Sequence, residues 1–167
     1  EGISDALISL CEESGLPLFT MPWEIHLIDV MQDISTLLLQ KNRLEDRLNV
    51  ALQSALYQSP VQDTILRTID EYGFPTDGVY RLFTIRNLRD ITRVTSPMNA
   101  LGIHFHLFSH DNYQLLLLGP GTTPERSLEE IIDTICFFDG IEVGVSDRHA
   151  NLKDLGEMYS RARFALA

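Results

Sequence analysis

The sequence predicts an α+β fold, a mixed α/β chain with a partial N-terminal α-β segment, a long connecting helix, and a mostly antiparallel sheet flanked by helices. Two observations carry this. In "LFSHDNYQLLLL", Leu107 to Leu118, two apolar runs are separated by a short polar stretch, which is how a β-hairpin is written. From about Ile25 to Tyr57 the apolar residues step alternately by three and four, which is how a single long helix is written. Further strand-like runs and helices surround the hairpin, so helices are expected on the faces of its sheet.

Taken in order, Ile3, Ala6, Leu7, Leu10 and Cys11 recur at helical spacing, and Gly15 closes that helix. "LPLFTM" follows as a short strand. In the long helix Leu27, Val30, Ile34, Leu37, Lys41, Leu44, Leu48, Ala51 and Ala55 form a heptad seam interrupted only by Lys41. Ile28, Met31 and Leu38 widen the apolar face of its first half, which is expected to pack into a globular core. Lys41, Arg43, Glu45 and Asp46 make the second half read as solvated. The seam calls for a partner helix, and self-association through Leu27, Val30, Ile34, Leu37, Leu44 and Leu48 is expected.

Pro60 breaks the pattern, and "VQDTILRTIDEYG" reads as a helix closed by Gly73. "GVYRLFTI" is a strand, and "IHFHLF" with "YQLLLL" is the hairpin. "PERSLEEIIDTICFF" is a helix with Thr123 as N-cap and Pro124 at its first position. "IEVGVS" is a strand. "NLKDLGEMYSRARFALA" is a closing helix in which Leu152, Leu155, Tyr159, Ala162 and Leu166 step by three and four.

The composition suits a folded domain: 44% of the 167 residues are hydrophobic and 22% charged. A formal net charge of −11, with 13 basic residues that form no block, argues against direct contact with nucleic acid. Cys11 and Cys136 lack metal-ligand spacing and read as reduced thiols of a cytoplasmic protein. No apolar run approaches the roughly 20 residues of a membrane span. The chain opens at Glu1 without an initiator methionine, which suggests a fragment or a processed chain.

His104 and His106 share a face of one strand, with His110 and Asp111 near its tip. A zinc site is conceivable there, but a half-exposed strand carries the same period-two polarity, so no metal or other cofactor is expected. "SDRH", Ser146 to His149, holds the residue types of a nucleophilic triad at consecutive positions that do not align in space, and reads as a turn. "GPGTTP", Gly119 to Pro124, lacks the lysine of a phosphate-binding loop and reads as a strand-to-helix turn. Trp23 in "MPWEI" either lines a ligand pocket or anchors the entry to the long helix. Trp23, His104, His106 and Asp111 are the candidates for ligand binding.

Two stretches resemble one family. "LISLCEESGLPLFTMPWEIHLIDVMQDI", Leu7 to Ile34, is similar to the end of the N-terminal domain of PucR-type bacterial transcription regulators, named for purine catabolism. "IEVGVSDRHANLKDLGEMYSRARFALA", Ile141 to Ala167, is similar to the end of the GGDEF-like domain that follows in them. The resemblance implies three segments: residues 1–40 as the C-terminal part of the sensing domain, 41–59 as a connecting and dimerisation helix, and 60–167 as a degenerate GGDEF-like domain. In a diguanylate cyclase the hairpin tip carries paired glycines and acidic groups. Here "SHDNY", Ser109 to Tyr113, stands there, and "RLFTIRN" offers Arg86 in place of a metal-binding aspartate.

The resemblance therefore implies no catalysis. It points to the sensing and dimerisation region of a transcription regulator, a cytoplasmic homodimer with a small-molecule effector, touching DNA only through a helix-turn-helix outside this chain. The alternative from another class is a degenerate nucleotide-binding or residual cyclase-like enzyme domain using Asp111 and the histidines.

Overall fold

A computed structural model describes residues 3–20, 22, 25–120, 131–133, 135 and 140–166. The fold is α+β, with helices and a five-stranded antiparallel sheet. The elements are α1 (Asp5–Glu13), α2 (Leu27–Leu56), α3 (Asp63–Asp70), β1 (Asp77–Arg86), α4 (Thr92–Ala100), β2 (Phe105–His110), β3 (Tyr113–Leu118), β4 (Glu142–Val145), β5 (His149–Asn151) and α5 (Leu155–Ala165). Residues 131–133 and 135 are helical. The rest of the expected "PERSLEEIIDTICFF" helix, including Thr123 and Pro124, lies outside the described residues, as do Trp23 and Cys136.

The chain divides into two compact units, Glu1–Asn42 and Arg43–Ala167. In the second, the strands run β2-β3-β1-β4, with β5 paired to the start of β1. Leu118 lies opposite both Arg81 and Phe105, so β3 sits between β1 and β2. A strand inserted between the two ends of a β-α-β connection is the split β-α-β arrangement. The interior strand β3 has both faces covered, which is why Leu115 to Leu118 run as unbroken leucines rather than alternating.

One face of the sheet, with Tyr80, Leu82, Phe108, Leu115 and Leu117, packs against Leu52 and Ala55 of α2, Leu66 and Ile69 of α3, and Leu155 and Met158 of α5. The other, with Phe83, Ile85, Leu116 and Leu118, packs against Val94 and Met98 of α4 and against Ile131 and Ile135. Each such buried side chain contributes on the order of 2 kcal/mol. Glycines let the helices approach. A Cβ on Gly144 would strike the carbonyl oxygen of Ala162, and one on Gly156 would lie 2.8 Å from that of Leu56.

Helix α2 is unbroken through Lys41 and Asn42, but its two halves behave opposite to expectation. The second half is the core half. Leu48, Ala51, Leu52, Ala55 and Leu56 are buried, because the alanines bring the helix close to the sheet while Lys41 to Arg47 remain exposed. In the first half Ile28, Met31 and Leu38 are exposed. Residues 43–59 fall within the second compact unit.

In the first unit α1 buries no residue. "LPLFTM" forms no strand over its described residues, 16–20. Two elements were not anticipated. Helix α4, "TRVTSPMNA", hides behind β-branched residues and Pro97. Strand β5 occupies part of the "SDRH" stretch that reads as a turn.

Candidate functional site

The register sets a row of polar side chains across the ends of four strands. His110 of β2 lies opposite Tyr113 of β3, and Arg86 of β1 lies opposite Glu142 of β4. Arg86 joins the two pairs. Its Nη1 donates to Glu142 Oε2 at 2.6 Å and its Nη2 to the Tyr113 hydroxyl at 3.2 Å, with the guanidinium 5.4 Å from the centre of the Tyr113 ring. The hydrogen bond from Arg86 is the main influence lowering the Tyr113 pKa, with the charges of Arg86 and Arg163 acting in the same sense.

Tyr57, just past α2, and Tyr159 of α5 cover the His110 end of this row, while Arg86 and Glu142 at the other end are exposed. The buried His110 ring meets Tyr57, just past the end of α2, edge-on at 5.2 Å and Tyr159 of α5 at 5.3 Å. Its Nε2 lies 2.9 Å from the Tyr57 hydroxyl and 3.6 Å from Asp111 Oδ2. The Tyr159 hydroxyl is buried without a hydrogen bond. Burial raises its pKa, Arg163 opposes that, and Asp111 and Tyr57 add to the rise.

The hairpin turns through Asp111, which takes a left-handed φ of 50°, a conformation aspartate tolerates better than most residues. Across the strands Ser109 and Gln114 exchange side-chain hydrogen bonds, and Gln53 Nε2 of α2 donates to the Ser109 carbonyl at 2.7 Å. The polar atoms of the tip are thus largely engaged within the fold.

The candidates from the sequence do not converge. Trp23 lies outside the described residues. His104 stacks on Phe74 with ring centres 4.3 Å apart and leaves no room for a Cβ on Gly119. His106 Nε2 meets Asn49 Oδ1 of α2 at 2.7 Å, and burial, aided by His104, pushes its pKa down to about 4. Asp111 is exposed at the tip. The expected solvated strand face is corrected in part: His104 is exposed, while α2 and Tyr57 just past it cover His106 and His110, with Asn49 and Tyr57 as their partners and Gln53 on the Ser109 carbonyl. Among the described residues no three His, Cys, Asp or Glu side chains are placed to share a metal ion.

Two of the "SDRH" residues are engaged within the fold. Ser146 Oγ accepts from the Leu82 N–H at 3.0 Å and donates to the Asp147 carbonyl at 2.9 Å, while Asp147 pairs with Arg161 at 2.5 Å. Tyr57, Glu142 and Arg163 carry no sequence signal of a site beyond lying at or near element ends, and Tyr159 shows in the sequence only as a residue at helical spacing within α5.

Beyond β1, Asn87 turns the chain with a φ of 61° and donates from Nδ2 to the Gly140 carbonyl at 2.9 Å. A cleft of about 490 Å³ opens there, lined by Asn87, Arg89, Arg93, Gly140 and Ile141. Asp90 beside it caps α4, accepting from the N–H and hydroxyl of Thr92, bonds that lower its carboxyl pKa.

The seam residues of α2 divide. Leu27 (64%), Ile34 (49%), Leu37 (64%) and Leu44 (48%) are exposed, and Val30 is half-buried. Leu48, at 4%, is taken into the chain's own core and leaves the expected interface. No helix among the described residues is long and apolar enough to cross a membrane. No family model matches the chain, and no curated protein matches it.

Proposed function

We propose that this chain is the non-catalytic sensing and dimerisation region of a bacterial transcription regulator of the PucR type, with its helix-turn-helix elsewhere in the protein. The observation that carries this reading is the run of exposed apolar residues from Leu27 to Leu44 along one helix. Such a stripe is costly in water and favours a partner. A bound metabolite would change the pairing of α2 helices and so the spacing of two DNA-binding heads. The hairpin tip supports a non-catalytic role, since His110, Ser109 and Gln114 are engaged in the fold. The test is operator binding by the parent protein, which Leu37→Glu should abolish while leaving the fold intact. Unchanged operator binding by a Leu37→Glu protein would overturn the reading.

The cleft beside Asn87, Arg89 and Arg93 favours a second reading, a degenerate nucleotide-binding domain. It expects thermal stabilisation by GTP that Arg89→Ala removes. GTP turnover with Mg²⁺ or Mn²⁺, lost in Asp111→Ala, would instead establish a residual enzyme.

A further inference from the structure

At the carboxyl end of β1 the chain leaves the sheet toward α4, and Gly140 and Ile141 lead it back into β4 beside that exit. The cleft of about 490 Å³ at Asn87 opens there, within the size range of small-molecule sites. Its lining runs against the composition of the chain. Acidic residues outnumber basic ones 24 to 13, yet Asn87, Arg89, Arg93, Gly140 and Ile141 bring two arginines and no acid to the cleft.

The neighbouring acid is turned to another task. Asp90 Oδ1 accepts from the Thr92 N–H at 3.0 Å and from its hydroxyl at 2.6 Å, at the start of α4. Its Oδ2 stands 3.7 Å from Arg93 Nε, a long contact between side chains 50% and 41% exposed, which holds the arginine only weakly against water. Arg93 also has an interaction within its own chain, so it can only share its guanidinium. Arg89 is exposed and makes no ion pair among the described residues. Asn87 braces the cleft through its 2.9 Å bond to the Gly140 carbonyl, which ties the two chain segments together.

We infer that this cleft binds a small non-aromatic dianion, a dicarboxylate or a phosphate monoester, anchored by the Arg89 guanidinium with Arg93 beside it. A guanidinium presents paired N–H donors that match two oxygens of a carboxylate or phosphate. Nothing in the described lining reads a nucleobase: it holds no aromatic ring to stack on, and Ile141 is its only apolar side chain beyond glycine. The inference rests on the sensing role proposed above, names the class of effector, and departs from the nucleotide reading of the same cleft. It does not depend on the dimer, since every group lies within the unit Arg43–Ala167 of one chain.

The test uses the full chain at fixed ionic strength, with sodium chloride as the control for screening. Succinate, glycerol phosphate and GTP are titrated separately by calorimetry. Binding of succinate or of glycerol phosphate, tighter than that of GTP, is expected, and the one that binds better tells a dicarboxylate from a phosphate monoester. Arg89→Ala, at an exposed position that leaves the fold intact, should weaken that binding on the order of tenfold or more. The Gly140 N–H and the Asn87 side-chain amide should shift with the titration in NMR spectra. Absence of binding by both dianions would overturn the inference, as would binding that Arg89→Ala leaves unchanged. GTP binding more tightly than either would overturn it in favour of the nucleotide reading. A chain that stays monomeric yet binds a dianion through Arg89 would uphold it and remove the dimerisation reading alone.

Discussion

The hydroxyl of Tyr57, just past α2, lies 2.9 Å from Nε2 of His110 at the end of β2. This bond ties the hairpin tip to the helix that covers its sheet. His110 is buried while Tyr57 is largely exposed, so the bond supplies a partner to a ring nitrogen that water reaches poorly. Replacing Tyr57 with phenylalanine should lower the unfolding free energy by about 1 kcal/mol, read from urea denaturation. An unchanged midpoint would mean that water serves His110 equally well.

The stability of the chain should depend on His106. Burial holds its folded pKa at about 4 against 6.5 for an unburied histidine. Above pH 6.5 the ring is neutral in both states, and the contribution is fully present. As pH falls below 6.5 the unfolded chain takes up a proton that the folded chain refuses, so stability declines until about pH 4. The full shift corresponds to roughly 3 kcal/mol, reduced to about 2 kcal/mol by the ring's partial exposure. His106→Gln, which keeps a hydrogen-bonding group beside Asn49, should flatten this part of the stability profile between pH 7 and 4.5. An identical slope in both proteins would assign the effect to other groups.

The two halves of α2 should respond differently to truncation. Leu48→Ala opens a cavity in the core and should cost about 2–4 kcal/mol in denaturant unfolding. Leu37→Ala should leave the unfolding of dilute protein within about 0.5 kcal/mol of wild type. Equal losses at the two positions would contradict the division of the helix.

Gly144→Ala should be among the most damaging small substitutions, because its Cβ would be driven into the backbone of Ala162 rather than into a movable side chain. A loss of about 3 kcal/mol or more is expected by thermal or urea unfolding, and a loss below about 1 kcal/mol would show that α5 can shift away.

The parts of the fold that are legible in the sequence are those whose pattern is local. The hairpin was readable because two apolar runs flank a four-residue polar stretch, and α5 because Leu155, Tyr159 and Ala162 keep helical spacing. Helix α4 was not, since Thr92, Val94, Thr95 and Pro97 carry poor helix propensity and tertiary packing of Val94 and Met98 overrides it. The site was less legible than the fold. His106 reads as a surface residue until α2, more than fifty residues earlier, brings Asn49 to it. The sequence does not distinguish the two halves of α2 for a related reason: both carry an apolar face, and which face is covered depends on the distant sheet.

The most direct test of the central claim is the mass of the full chain in solution, by sedimentation equilibrium at high micromolar concentration with helix content followed by circular dichroism. The account predicts a dimer, twice the 19.0 kDa of one chain, and a monomer of undiminished helix content for Leu37→Glu. A wild-type chain that remains monomeric with its helices fully formed would contradict it.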